Sequence, residues 1–298
     1  MAESAPNLGK IVVWRLEALA YDIVSGLLRL FPFAWASAFG GALLRLIGPF
    51  TSKQKIARRG LTIAFPDKTE KEIDELLSEQ WSNIGRTFAE FPLMHRVKAF
   101  EGTRVKIIGL DIFKAHAPGI IVTGHFANWE IMATVLTQSG LPVRITYRKI
   151  NNPYIDKRVR KKREAYGTKF LVQKSRHKGG RELLEALKQG ESIAIMNDQK
   201  FNTGLPISFF GEEAMTAQGA TRLALKTGRP LLPMAVTRDE ANFTVEFFEP
   251  IFVQETGHRE TDVHRGVETV TRFIEERIKA APAQWFWVHR RWPKSLYK

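Results

Sequence analysis

The chain has 298 residues, 44% of them hydrophobic, enough to bury a full core in one large domain. It contains no cysteine, which excludes disulfides, thiolate metal sites and a cysteine nucleophile. Forty-five Lys and Arg against 31 Asp and Glu leave a net charge of +14, which calls for an anionic partner: nucleic acid, an anionic membrane, or an acidic substrate or carrier protein.

The first residues, MAESAPNLGK, lack a basic start followed by an apolar stretch and a small-residue cleavage site. Export by a cleaved signal is therefore not expected, and the working domain is expected to face the cytoplasm. Residues 11–50 are apolar and aromatic, but Arg15, Glu17, Asp22, Arg29 and Arg45 interrupt them. The uninterrupted run from Leu30 to Leu44 falls short of the ~20 residues a spanning helix needs. Two helices lying in or against the headgroup region, anchored by Trp14, Tyr21 and Trp35, fit this pattern; a pair of ordinary buried helices is the alternative. The expected division is a membrane-attachment segment over 1–50 and a working domain over 51–298.

From Thr69 the pattern predicts a capped helix, with Ile73, Leu76, Leu77, Trp81, Ile84 and Phe88 at helical spacing. Strands are predicted at 105–110, 119–124, 143–148, 192–198, 231–236 and 243–253, and helices at 128–139, 153–166, 179–189, 216–227 and 262–280. That alternation predicts an α/β fold, a central mixed sheet covered by helices, with sites at the C-terminal ends of strands.

One such end carries GHFANWE at 124–130. His125 falls just past a strand and Glu130 in the first turn of the next helix, with Asn128 as its N-cap. Because a turn separates them, the Glu130 carboxylate is expected to reach back to the imidazole and hold one ring nitrogen. The other nitrogen is then free to take a proton from an attacking hydroxyl, with helix and turn amides beside it for an oxyanion. By itself His-x4-Glu is a weak pattern, since Glu is favoured at helix starts and histidines are common in loops. The chain has no G-x-S-x-G, H-E-x-x-H or phosphate-loop motif to compete with it.

Between Arg144 and Lys178 thirteen basic residues face two acids, so this one stretch carries eleven of the fourteen net charges. A solvated face, a nucleic-acid contact, and a surface for lipid phosphates and an acidic protein all answer to it. No helix-turn-helix, RNA-binding sheet motif or zinc module accompanies it, so nucleic acid is not the expected partner. Asp198 ends a strand in AIMNDQ, where an active-site acid or a local cap are both at home. In WFWVHRRW, at 285–292, alternation puts Trp285, Trp287 and His289 on one face, that of a buried strand, an aromatic interfacial belt or part of an acyl pocket; the buried strand is the preferred reading, which leaves His289 out of the catalytic set.

GHFANWE, TYRKINNPYIDKRVRKKREAYG (146–167), AIMNDQ (194–199), FFGEEAMTAQGATRLALKTGRPLLP (209–233) and WFWVHRRW together resemble the bacterial late acyltransferases of lipid A biosynthesis, the lauroyl- and myristoyltransferases. The resemblance implies a glycerolipid-acyltransferase-like fold with N-terminal membrane-associated helices at the cytoplasmic face of the inner membrane. It implies transfer of an acyl chain from acyl carrier protein to a hydroxyl of a phosphorylated glycolipid, a Kdo-lipid A precursor, without cofactor or metal. By that likeness His125 is the general base and Glu130 its partner. Arg163 and Asp198 match further functional positions and, with Arg148 and Asn128, are expected to contact substrate. The same chemistry on a lysophospholipid or a phosphatidylinositol mannoside is the nearer alternative. A noncatalytic binder of anionic membranes is the more distant one.

Overall fold

The computed structural model describes residues 7–172 and 176–298. Of the basic run, Lys174 and the side chains of Arg176 and Lys178 lie outside the described residues. The chain opens with four helices, α1 (Leu8–Leu28), α2 (Phe33–Ile47), α3 (Lys53–Ala64) and α4 (Glu70–Glu90). Strands and helices then alternate: β1 (Val105–Ile108), α5 (Leu110–His116), β2 (Ile120–Thr123), α6 (Trp129–Gln138), β3 (Val143–Tyr147), α7 (Pro153–Ala165), β4 (Lys169–Val172), α8 (Arg176–Lys188) and β5 (Ser192–Met196). A hairpin of β6 (Lys200–Phe209) and β7 (Glu212–Thr216) follows, then α9 (Gly219–Thr227), β8 (Leu231–Asp239), β9 (Asn242–Phe247) and α10 (Arg259–Ala280).

Among the described residues seven strands form one sheet in the order β1-β9-β8-β2-β5-β3-β4, parallel throughout except for β8 against β9. The predicted mixed sheet covered by helices is thus the fold observed. Its central strand β2 reads IIVT and is buried along its whole length, as a parallel strand covered on both faces must be. The loop that carries His125 leaves the C-terminal end of this strand, at the middle of the sheet, where neighbouring strands also end and their loops converge.

Helix α4 begins with the predicted cap: Thr69 Oγ1 accepts from the Glu72 amide while the Glu72 carboxylate accepts from the Thr69 amide. Its other end passes beneath the loop of His125, and α2 lies against it. Their contact is backbone to backbone at Gly40 and Gly85, where a Cβ on Gly85 would stand 2.0 Å from the Gly40 carbonyl oxygen. Phe33 and Ala36 on the same side of α2 belong to the core that the sheet shares. Helix α2 is therefore packed into the body that carries the sheet.

Both of the first two helices carry exposed apolar side chains, and α1 is amphipathic with its apolar side outward. On α1, Leu8, Val12, Leu16, Leu19, Ile23 and Leu27 recur every three or four residues and all are exposed. Its polar side turns instead onto α7. Arg158 donates to both oxygens of Asp22 at 2.8 Å, Lys162 donates to Tyr21 Oη at 2.9 Å, and Asn152 donates to Glu17 at 2.7 Å. Part of the basic run thus finds its partners within the chain, and Lys157 and Lys161 are exposed cations on that helix.

Two segments depart from the sequence-based expectation. Residues 285–292 are not a strand: Phe126 and Trp285 form an isolated bridge, after which the Trp287 amide turns back to the Trp285 carbonyl at 3.0 Å. Trp285 and Trp287 are buried and His289 is exposed, so the three do not share a face. The hairpin of β6 and β7 was not anticipated. It turns at Phe210 and Gly211, both at positive φ, and its strands are interrupted by Gly204 and Pro206.

Candidate active site

Strand register brings the site together. β2 and β5 pair in parallel with Thr123 opposite Met196, and the Asn197 amide extends the ladder by donating to the Thr123 carbonyl at 2.8 Å. Two residues past that last pair, His125 and Asp198 stand side by side. Gly124 is required at this crowded end, since a Cβ there would come within 3.2 Å of the Asp198 Cβ and 2.9 Å of the Phe126 ring.

The Asp198 carboxylate is 1% exposed and holds His125 twice. Oδ1 lies 2.9 Å from Nδ1, and Oδ2 accepts from the His125 backbone amide at 2.8 Å. Trp285 Nε1 donates to Oδ2, also at 2.8 Å. Burial would raise the Asp198 pKa, but the charge and hydrogen bonds of His125, with the Trp285 donor, keep it below the ordinary carboxylate value. Burial likewise works against a charged imidazole. The adjacent Asp198, and more weakly the charge of Glu130, outweigh it and hold His125 above the ordinary histidine value. An ionised Asp198 selects the tautomer with hydrogen on Nδ1, which leaves the lone pair on Nε2. The ring keeps 20% of its surface open. Trp129, edge-on at 5.1 Å, and Phe286, tilted at 6.2 Å, wall it in.

Glu130 does not hold the imidazole, contrary to the expectation from the turn. It begins α6, where Asn128 Oδ1 accepts from its amide at 3.0 Å, and its carboxylate grips Arg163 through both oxygens, with Arg163 Nε at 2.9 Å from Oε2. The helix start aims the side chain toward α7 rather than back along β2. Arg163 lies between the rings of Phe91 and Tyr147, 5.6 and 5.5 Å from their centroids, and despite burial the carboxylate keeps it firmly charged.

Three further expectations change, the first being that Asp198, buried against His125 and Trp285, has no surface left for substrate. Asn128 is fully buried, with Nδ2 donating to Glu90 at 2.7 Å and Oδ1 capping α6, so it fixes the loop and has no surface for substrate. The turn amides are also engaged: Phe126 donates to the Gly124 carbonyl and Ala127 to that of Gln284 at 2.7 Å, besides the His125 amide on Asp198. They are not oxyanion donors in this arrangement. Arg148 is exposed just past β3 and close enough to His289 to act on it by charge. Trp285 is the site residue that sequence reasoning missed. The aromatic cluster WFW was visible, but nothing in it marked which indole meets an acid 87 residues away.

The described geometry can take a proton from a group approaching Nε2 and return it to a leaving group from the same atom. Known proteins narrow the choice of reaction. The family model for bacterial lipid A biosynthesis acyltransferases matches residues 6–294. The chain is 26% identical over 265 residues to a lipid A biosynthesis palmitoleoyltransferase of Escherichia coli, covering 84% of this chain and 81% of that one. It is 24% identical over 306 residues to a lipid A biosynthesis lauroyltransferase of the same organism, covering 95% and 90%. A phosphatidylinositol mannoside acyltransferase of Mycobacterium tuberculosis is 25% identical over 233 residues, covering 75% and 72%.

Proposed function

The chain belongs to the bacterial lipid A biosynthesis acyltransferase family, and from that premise we propose that it moves a fatty acyl group from acyl carrier protein to a hydroxyl of a Kdo-bearing lipid A precursor, at the cytoplasmic face of the inner membrane. The observation that carries the chemistry is the pairing of His125 Nδ1 with the buried Asp198, which leaves Nε2 as a base at an open edge of the site. The acceptor hydroxyl gives its proton to Nε2 as its oxygen attacks the thioester carbonyl. The tetrahedral intermediate collapses to the ester, the C–S bond breaks, and the departing thiolate takes the proton back from the imidazolium. Asp198 stabilises that imidazolium by charge, and Glu130 adds to it through space while anchoring Arg163.

The exposed apolar stripe of α1, together with Trp35, Phe39 and Leu46 along α2 and Phe50 just beyond it, supports a membrane-bound reading. An outward apolar side and an inward polar one suit a helix lying at an acyl boundary better than one in water. Arg148, Lys157 and Lys161 are among the exposed cations suited to lipid phosphates or an acidic carrier. Likeness to the phosphatidylinositol mannoside acyltransferase favours one second reading, the same transfer to a mannosylated lipid.

The test is to incubate the purified, detergent-solubilised protein with acylated carrier protein and, in separate reactions, a Kdo-lipid A precursor, a phosphatidylinositol mannoside and a lysophospholipid. Mass spectrometry should find one added acyl chain on the lipid A precursor. Acylation of only one of the other lipids would replace the acceptor, and acylation of none would overturn the reading.

A further inference from the structure

Glu90, the last residue of α4, has no place in the reaction as drawn, yet its carboxylate is wholly buried and takes four hydrogen bonds from three separate parts of the fold. Oε1 accepts from Ser37 Oγ of α2 at 2.6 Å and from Arg238 Nη1 of β8. Oε2 accepts from Arg238 Nη2 at 2.9 Å and from Asn128 Nδ2 of the active loop at 2.7 Å. Such a node is costly to bury unless every lone pair is matched, and here each oxygen has one guanidinium N–H and one neutral donor. Its neighbours hold the same loop. Thr87, one turn earlier on α4, donates to the Ala127 carbonyl at 3.0 Å, and Arg238 Nη2 reaches Thr87 Oγ1 at 3.1 Å. Ala127 itself sits at φ +40, a conformation that an alanine keeps only where its surroundings impose it.

Resting on the acyl-transfer reading, we propose that Glu90 is a positioning residue for that reaction, acting through Asn128 to set the turn between His125 and Glu130. Asn128 is the one side chain that both receives this anchor and caps α6. Through its Oδ1 the anchor fixes the Glu130 amide, and through the Ala127 kink it fixes the backbone two residues after His125. Loss of the anchor lets the loop relax without removing any group that touches substrate, so catalysis suffers more than binding.

The cleanest test is Asn128→Ser, which keeps a capping oxygen for α6 but removes the donor to Glu90 and leaves the Glu90–Arg238 pair whole. The expected result is a kcat lower by about tenfold to a hundredfold with KM nearly unchanged. Glu90→Gln should lower kcat comparably where it folds, and the double variant should be no worse than the poorer single one, because both cut one connection. Hydrogen exchange read on the same proteins needs no activity. The amides of Ala127 and Glu130 should exchange at least about tenfold faster in Asn128→Ser, with those in the middle of α10 unchanged. Wild-type kcat and wild-type exchange in Asn128→Ser would overturn the proposal. If the wild-type protein transfers no acyl group, the functional reading fails on its own, and the exchange experiment still decides whether Glu90 holds the loop.

Discussion

Asp198 Oδ1 lies 2.9 Å from His125 Nδ1 because the strands that carry the two residues are parallel neighbours in register. The contact is a consequence of the sheet, so it is held by the most buried part of the molecule rather than by a mobile loop.

Asp198→Asn should therefore separate two effects. Asp198 raises the His125 pKa, and the base works only when neutral, so wild-type kcat/KM should fall as pH drops through a value above the ordinary ~6.5. Without the carboxylate the imidazole loses its proton more readily, and the acid limb should move to lower pH. The plateau should drop at the same time by about 10²-fold or more, since tautomer and imidazolium are no longer supported. A pH–rate profile of both proteins checks this, and an unmoved acid limb would count against the pairing.

Glu130 and Arg163 are 7% and 19% exposed, so removing either strands a charge. Arg163→Ala should cost about 3 kcal/mol of stability by chemical denaturation, and the double variant Glu130→Gln with Arg163→Met should recover much of it. A double variant no more stable than Arg163→Ala would show that the loss is not the cost of a stranded Glu130 charge.

Trp285→Phe keeps the aromatic packing and deletes the indole N–H that meets Asp198 at 2.8 Å. A hydrogen bond to a buried charge contributes about 2 kcal/mol, so the unfolding free energy should fall by that order, and the acid limb of the rate profile should shift with the altered carboxylate. Denaturant titration and the same pH–rate profile measure both.

Leu16, Leu19 and Ile23 are exposed on one stripe of α1, away from its contacts with α7. Replacing all three by serine should leave the unfolding midpoint within about 0.5 kcal/mol per site while sharply reducing cosedimentation with anionic lipid vesicles. Equal cosedimentation would move the membrane contact elsewhere.

Local chemistry in this chain was legible and long-range pairing was not. The Thr69 cap, the apolar run of β2 and the cap at Asn128 are short-range patterns, and each produced the element expected of it. Glu130 illustrates the limit. Five residues from His125 it was the obvious partner, but the α6 start turns it to Arg163, 33 residues on, while the acid that reaches His125 comes from 73 residues away. No spacing rule in one sequence says that β2 and β5 are neighbours. The hairpin of β6 and β7 escaped for another reason, since its turn is Phe-Gly rather than Asn-Gly and glycine and proline break its alternation. The density of the basic run suggested an external anion, whereas part of its partner is the acidic and hydroxyl face of α1.

The central claim is that the His125 imidazole accepts the hydroxyl proton. Turnover of purified His125→Ala on acylated carrier protein and the lipid A precursor tests it most directly, with unfolding followed on the same sample. The account expects kcat to fall by about 10²- to 10⁴-fold while the fold and vesicle binding persist. A correctly folded His125→Ala protein that turns over within about twofold of wild type would contradict it.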